Sequence, residues 1–273
     1  MMRALWRMAV LEPFLKWAGG KRWLIHRYRH LFPDRCKLYI EPFLGSGAVF
    51  FHLCPRRALL GDANAELVNA YQHVRKSPER IARWLHRYQK RHCEEFYYER
   101  RSKVPRSPFE RAVRFLYLNR TCWNGLYRVN RLGEFNVPIG TKTVVEYQEE
   151  FLKKVSDALA TAQIVTADFE SIIDRAGRGD LVYVDPPYTV AHNSNNFIKY
   201  NASLFSWDDQ VRLCRVVRRA ALRGASVVVS NADHESIRFL YAGFGVHHRV
   251  ERASVLSGSP SHRRKTTEIL ITK

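Results

Sequence analysis

The run Leu181-Val182-Tyr183-Val184, followed without a break by Asp185-Pro186-Pro187-Tyr188, constrains the fold more than any other stretch of the chain. Four apolar residues in a row read as a strand buried on both faces, the kind that parallel sheets contain. The two prolines stop it, because neither can donate to a ladder and both fix φ. An acid and an aromatic ring are left at the strand's carboxyl end, where open α/β sheets bind ligands. A carboxylate there can accept hydrogen bonds from an exocyclic amine, and the tyrosine offers a flat face to an unstacked base. The combination points to methyl transfer onto a planar amino group, although Asp and Pro also build ordinary turns.

Apolar runs and breakers along the rest of the chain predict strands at 37–41, 57–61, 163–166, 180–185, 225–230, 246–250 and 267–272. Helices are predicted near 21–31, 47–53, 64–75, 148–160, 208–223 and 234–241. Such alternation implies an α/β fold with a mainly parallel, doubly wound sheet covered on both faces. From 77 to 145 the pattern changes to helical pieces at 77–91, 93–101 and 107–120. A glycine-punctuated segment follows from Asn124 to Gly140, suited to a loop or hairpin that presents Arg128, Asn130 and Arg131. Arg252 to Thr267, rich in Ser, Gly, Arg and His, reads as a hairpin loop carrying Arg263-Arg264-Lys265.

Tyr39-Ile40-Glu41-Pro42-Phe43-Leu44-Gly45-Ser46-Gly47 reads as a strand end entering a glycine turn before a helix. Gly45 and Gly47 let the backbone approach a ligand where a side chain would collide. They lack the third glycine of the dinucleotide fingerprint, and a strand-to-helix turn needs glycine in any case. The next strand ends at Asp62, 15 residues after Gly47, in the place where such folds hold a ribose hydroxyl pair. The alternative for Asp62 is a cap on the following helix. Near the start, Trp17-Ala18-Gly19-Gly20-Lys21 carries paired glycines before a lysine, but the rest of the phosphate-loop pattern is missing. It reads either as a glycine pair bringing Trp17 and Lys21 into a cleft or as a loop entering the first helix.

The chain has 273 residues, enough for a catalytic domain with a smaller insert, and its 45 Lys and Arg against 26 Asp and Glu leave a formal charge of +19. That surplus favours a polyanionic partner. From Arg75 to Val145 there are 17 basic and six acidic side chains, a surplus of 11. The bases alternate with Trp84, Tyr88, Tyr97, Tyr98, Tyr117, Trp123 and Tyr127, a mixture suited to phosphates and bases, although one basic helix face alone is commonly just solvated. Five scattered cysteines without Cys-x-x-Cys pairs or a histidine cluster argue for reduced thiols and no metal. The opening Met-Met-Arg-Ala-Leu-Trp-Arg-Met is too interrupted by arginine for a signal peptide or membrane span, so a cytoplasmic protein with no membrane partner is expected.

Phe-Leu-Lys-Trp-Ala-Gly-Gly-Lys at 14–21, Glu-Pro-Phe-x-Gly-x-Gly at 41–47, Asp-Ala-Asn at 62–64, Phe-Leu-Tyr-Leu-Asn-Arg at 115–120, Asn-Gly-Leu at 124–126, Gly-Glu-Phe-Asn-Val-Pro at 133–138 and Asp-Pro-Pro-Tyr at 185–188 together resemble the Dam-type DNA adenine-N6 methyltransferases, alpha group. The resemblance runs from about residue 13 to 272. It implies a Rossmann-like catalytic part at 1–76 and 146–273, interrupted by a mostly helical target-recognition domain at 77–145. It implies S-adenosylmethionine as cofactor, held by Trp17, Lys21, Phe43, Gly45, Gly47, Asp62, Asp168, Phe169 and Asp185. Asp185 and the Pro186 carbonyl would accept the two N6 hydrogens of an adenine flipped onto Tyr188, with Pro187 completing the corner. Separately, the Asn-rich loop composition of His192 to Asn196, through Tyr200, suggests a segment that closes over the site.

The partner implied is double-stranded DNA bound by a protein that is monomeric in solution, with Trp123 as a wedge in the gap left by the base and Asn124, Leu126, Arg128 and Pro138 touching the recognition site. Arg128 suits a bidentate grip on a guanine edge. GATC is the leading target, but the aromatic that family members acting on GATC often place after the Pro-x-Gly turn is replaced here by Thr141-Lys142, so a relaxed or altered target stays open. Amino-methyltransferases of cytosine N4, RNA adenine or protein glutamine share a similar Pro-Pro-Tyr corner, and a catalytically silent DNA-binding relative would keep the basic segment.

Overall fold

The computed structural model describes residues 11–130, 132–190, 205–253 and 265–273. The expected closing stretch from His192 through Tyr200, the basic pair Arg263 and Arg264, and Arg131 lie outside them. The strands are β1 (Tyr39–Glu41), β2 (Ala58–Asp62), β3 (Ala162–Thr166), β4 (Leu181–Val184), β5 (Ser226–Ala232), β6 (Val246–Ala253) and β7 (Lys265–Thr272). They form one sheet in the order β3-β2-β1-β4-β5-β7-β6. β1 runs parallel to β2 and β4, and β4 parallel to β5, while β7 pairs antiparallel with both β5 and β6. This is the mainly parallel α/β sheet expected from the alternation. Numbering leads outward from β1 in one direction and from β4 in the other, so the β1/β4 boundary is the topological switch point. Both strands are buried along their whole length.

By packing, the chain divides into two compact units. The first gathers residues 11–22, Leu44–Cys54 and Asp62–Thr166. Its helices are α2 (Ala48–Leu53), α3 (Ala65–Lys76), α4 (Pro78–Arg91), α5 (Glu94–Ser102), α6 (Pro108–Thr121) and α7 (Glu149–Leu159). Start signals are local: the Asn64 side chain accepts from Glu66 N and Leu67 N, both at 3.1 Å, and Pro78 and Pro108 occupy the first turns of α4 and α6. Ile81, Leu85 and Tyr88 recur at helical spacing on α4 and are buried.

The same periodicity corrects the reading of the basic segment's aromatics as a nucleic-acid surface. Tyr88, Tyr97 and Tyr117 are core residues. Tyr88 meets Tyr117 edge-on at 5.3 Å and Phe96 at 5.1 Å, because their helical positions point inward. Trp84 and Tyr98 are half-buried, and of the seven rings only Trp123 is exposed.

Arg114 on α6 is also buried, and its guanidinium donates to the Arg100 and Arg101 carbonyls, each at 2.6 Å, in the last turn of α5. These are carbonyls that a helix end leaves without an internal partner. Arg114→Met keeps the aliphatic stem and removes both charge-assisted bonds. It is expected to cost about 2 to 4 kcal/mol of stability, read as a lower urea midpoint. An unchanged midpoint would show that water replaces the guanidinium.

The second unit gathers Trp23–Phe43, Pro55–Gly61 and the described residues from Ala167 to Lys273. It holds most of α1 (Arg22–Tyr28), then α8 (Phe169–Ile173), α9 (Trp207–Leu222) and α10 (Glu235–Leu240), with all strands except β3 and the last residue of β2. The helix expected at 21–31 ends at Tyr28 and tightens into a 3-10 turn over Arg29–Leu31. α9 opens on a reciprocal cap, Ser206 N donating to Asp209 Oδ2 at 2.9 Å and Asp209 N to Ser206 Oγ at 3.1 Å. Its buried face, Leu213, Val216, Val217 and Ala220, has the helical period.

Candidate active site

In the second unit, Asp185 follows β4 directly, and Val184 lies in register with Val229 of β5. The corner Asp185-Pro186-Pro187-Tyr188 therefore leaves the sheet beside Ser230, at the carboxyl ends of two parallel strands. Tyr188 is tied by its hydroxyl: Oη donates to Glu268 Oε2 at 2.7 Å and lies 3.1 Å from Ser230 Oγ. Burial, with the negative neighbours Asp185 and Glu268, raises this phenol's pKa well above its ordinary value. It stays a proton donor.

Pro187 is held as well, its carbonyl accepting from Gln210 Nε2 at 3.4 Å. The buried Gln210 in turn accepts from Asn231 Nδ2 at 3.0 Å. Ser230, Asn231, Gln210 and Glu268 were not expected from the sequence as parts of the site. One signal existed: Ser230 and Asn231 are polar residues ending the apolar run Val227-Val228-Val229.

Phe43, just beyond β1, stacks on Phe169 at 5.5 Å and meets Phe205 edge-on at the same separation. Asp168 caps α8 through Glu170 N at 2.9 Å, and its two oxygens accept from the Arg212 guanidinium, both at 2.9 Å. The same guanidinium lies 4.1 Å over the Phe169 ring. Asp168, Phe169 and Phe43 thus form one cluster with Arg212, which no sequence motif announced.

In the first unit, Trp17, Gly45 and Asp62 are brought together. Asp62 Oδ2 accepts from Gly45 N at 3.1 Å and Oδ1 from Asn64 N at 2.9 Å. The cap of α3 is therefore Asn64, and the cap alternative for Asp62 is set aside. Burial raises the Asp62 pKa, opposed by these two backbone bonds. Gly45 has φ +47°, and a Cβ there would stand 2.7 Å from Trp17 Cδ1. The Trp17 indole itself stacks on Tyr127 at 5.4 Å. Gly47, at φ +65°, starts α2 and is hemmed in by Tyr71 Oη and Phe51. Lys21 is buried, with Nζ donating to Gly19 O at 2.9 Å.

The expected DNA-contacting residues also lie in the first unit. Trp123–Gly125 is a 3-10 turn in which Asn124 adopts the left-handed region at φ +54°, a conformation that asparagine tolerates. Trp123 N donates to Pro138 O at 2.9 Å, joining two of the expected residues, while the Trp123 side chain is 51% exposed. Asn119 anchors this turn to the start of the chain, accepting from Lys16 N at 3.1 Å and donating to Lys16 O and Gly125 O. Leu126 and Arg128 are exposed. Arg128 Nε donates to Asn136 Oδ1 at 2.9 Å across a narrow hairpin closed by the Val129–Phe135 bridge. Among the described residues no cluster of His, Cys, Asp or Glu is arranged to hold a metal, and no helix is long and apolar enough to cross a membrane.

A sequence model of the D12 class N6 adenine-specific DNA methyltransferases matches residues 17–255. The chain is 36% identical over 271 residues to the Type II methyltransferase M1.LlaDCHI of Lactococcus lactis subsp. cremoris, covering 96% of this chain and 95% of that protein. It is 33% identical over 284 residues to the Type II methyltransferase M.MjaIII of Methanocaldococcus jannaschii, covering 96% and 98%. With the DNA adenine methylase of Escherichia coli K12 it shares 35% identity over 263 residues, covering 94% and 93%. The match spans both the Asp185–Tyr188 corner and the Trp123–Pro138 segment, and the chain accordingly belongs to the D12 class of N6 adenine-specific DNA methyltransferases.

Proposed function

We propose that this enzyme transfers a methyl group from S-adenosylmethionine to N6 of an adenine flipped out of duplex DNA, with GATC as the leading target. The observation that carries the reading is the corner at Asp185–Tyr188, where a carboxylate and an anchored aromatic ring stand together at the carboxyl end of β4. Asp185 and the Pro186 carbonyl accept the two N6 hydrogens, which localises the nitrogen lone pair. Tyr188 stacks the adenine, whose amino group cannot be reached inside the duplex. Orientation and charge complementarity then do the catalytic work, with no need for a strong base.

The residues assigned to the cofactor suit it chemically. Each Asp62 oxygen accepts one backbone N–H, and a carboxylate has about four lone-pair sites, so capacity for a ribose hydroxyl pair remains. Phe43 and Phe169 supply apolar ring surface for an adenine moiety, with Asp168 beside them. Trp17, Lys21, Gly45 and Gly47 complete the assignment. When bound, S-adenosylmethionine supplies an electrophilic sulfonium methyl.

Residues 77–145 carry target recognition, and 1–76 with 146–273 carry catalysis. Trp123 fills the gap left by the flipped base, and Asn124, Leu126 and Pro138 line the contact with the site. Methylation-aware sequencing of DNA from cells expressing the chain tests activity, modified base and motif at once. N4-methylcytosine, or unmodified DNA alongside methylated RNA, would overturn the reading, and Thr141-Lys142 makes a motif other than GATC the foreseeable departure.

Arg128→Ala is expected to cost about 1 to 3 kcal/mol on the preferred site and to flatten preference at one base position. Binding across single-base variants of the site at two salt concentrations checks it. A uniform loss over all variants, with a salt slope shallower by about one unit, would reassign Arg128 to a phosphate.

A further inference from the structure

Glu268 is an acidic residue inside the buried strand β7. It is 4% exposed, and the residues that follow it on β7, Ile269, Leu270 and Ile271, are buried. An acid in such a place is costly unless it is hydrogen-bonded, and an aliphatic residue would fill the strand position more stably. Glu268 accepts from the hydroxyl of Tyr188, 80 residues away in sequence, at 2.7 Å. Ser230, 3.1 Å from the same hydroxyl, reaches it from β5, the strand on which Ala232 pairs with Glu268. The phenol stays protonated for the reasons given above, so it donates to Glu268, and the Ser230 hydroxyl is left to donate to the phenol oxygen. Two bonds at the phenol oxygen hold the tilt of the ring axis, and because a phenol O–H prefers to lie in the plane of its ring, the direction of the bond to Glu268 also biases rotation about that axis.

We propose that Glu268 is a positioning residue for methyl transfer: by accepting the Tyr188 hydrogen bond it fixes the plane of the ring on which the target adenine stacks. The inference rests on the methyltransferase reading of the Asp185–Tyr188 corner. It concerns orientation at the reacting centre, so its effect falls on turnover, since small misplacements there cost large factors in rate while contacts that hold the rest of the DNA are untouched.

Four proteins test it: Glu268→Ala, Glu268→Gln, Tyr188→Phe and the double variant Glu268→Ala/Tyr188→Phe. Methyl transfer to a duplex oligonucleotide is followed with tritiated S-adenosylmethionine, together with KM for DNA, calorimetric cofactor affinity and the urea midpoint. Glu268→Ala is expected to lower kcat by about 10- to 100-fold, with KM for DNA within about twofold of the parent. Glu268→Gln, which keeps an acceptor oxygen, should recover most of that loss. The Tyr188→Phe loss should not deepen when Glu268→Ala is added, because the hydroxyl through which Glu268 acts is already gone.

Losses that multiply in the double variant would overturn the proposal. So would a Glu268→Gln protein no better than Glu268→Ala, with both losses matched by lowered urea midpoints. If Glu268→Ala fails to fold, Glu268→Leu, which fills the strand position with an aliphatic side chain, replaces it alone and with Tyr188→Phe, and the same comparison decides between coupled and independent effects. A parent protein that leaves duplex adenine unmethylated sinks the functional reading and the positioning role with it, whereas an active parent with independent variants sinks the positioning role alone.

Discussion

Asp185→Ala is expected to bind duplex DNA as the parent protein does and to lose about 10²-fold or more of its methyl-transfer rate. The substitution removes an acceptor aimed at the reacting amine and leaves the basic side chains of residues 75–145 untouched. Asp185→Asn retains a carbonyl oxygen in nearly the same shape, so its loss should be smaller, and the gap between the two variants measures what the negative charge adds. The sheet around the position is firmly built: Asp185 extends β4, whose four residues are all buried and paired to β5 in register. A fold collapse is therefore not the expected route to inactivity. Turnover with tritiated cofactor and gel-shift affinity for duplex DNA, measured on the same preparations, check the prediction. Parent-level turnover in Asp185→Ala would remove the residue from the chemistry.

Gly45→Val should weaken S-adenosylmethionine binding by about two orders of magnitude or abolish it. Two costs combine. At φ +47° the backbone lies where a β-branched residue is a genuine outlier, and the added Cβ would meet Trp17 Cδ1 at 2.7 Å. Together these come to about 2 to 5 kcal/mol of strain, which the turn can relieve only by moving. Moving it displaces Trp17 from its stack on Tyr127 and breaks the bond from Gly45 N to Asp62.

Asp62→Ala should act on the same turn from the other side, since it leaves Gly45 N and Asn64 N without their acceptor as well as removing the proposed hydroxyl partner. Because the two residues share a hydrogen bond, the double variant should lose less than the product of the single losses. Calorimetric titration of the cofactor tests this. Parent-level affinity in both single variants would end the cofactor assignment of the turn.

Much of the scaffold was legible in the amino-acid order because its causes are local. Continuous apolar runs such as Leu181–Val184 and Val227–Val229 read as strands since a parallel strand buried on both faces has no polar alternation to disguise it. Asn64, Pro78, Pro108 and the Ser206–Asp209 pair announce helix starts because their partners lie two or three residues away. α8 leaves no signature in the sequence, since five residues are too few to display a period, although Asp168 at its cap carries the expectation of a cofactor contact.

What only the tertiary structure decided is which distant side chains meet. No spacing rule links Glu268 and Ser230 to Tyr188, Arg212 to Asp168, Arg114 to the end of α5, or Trp17 to the space beside Gly45. The rings of residues 84–127 carry the same ambiguity: their chemistry suits stacking on bases, and only packing shows that Tyr88, Tyr97 and Tyr117 spend it on the core while Trp123 stays outside. The sequence by itself therefore determined where the strands and most helices lie along the chain, and the acid-proline-proline-tyrosine corner, all set by residues near one another in the chain. The fold decided what holds that corner in place, because hydrogen bonds between strands depend on how the chain returns, a property of the whole sheet that no short segment encodes.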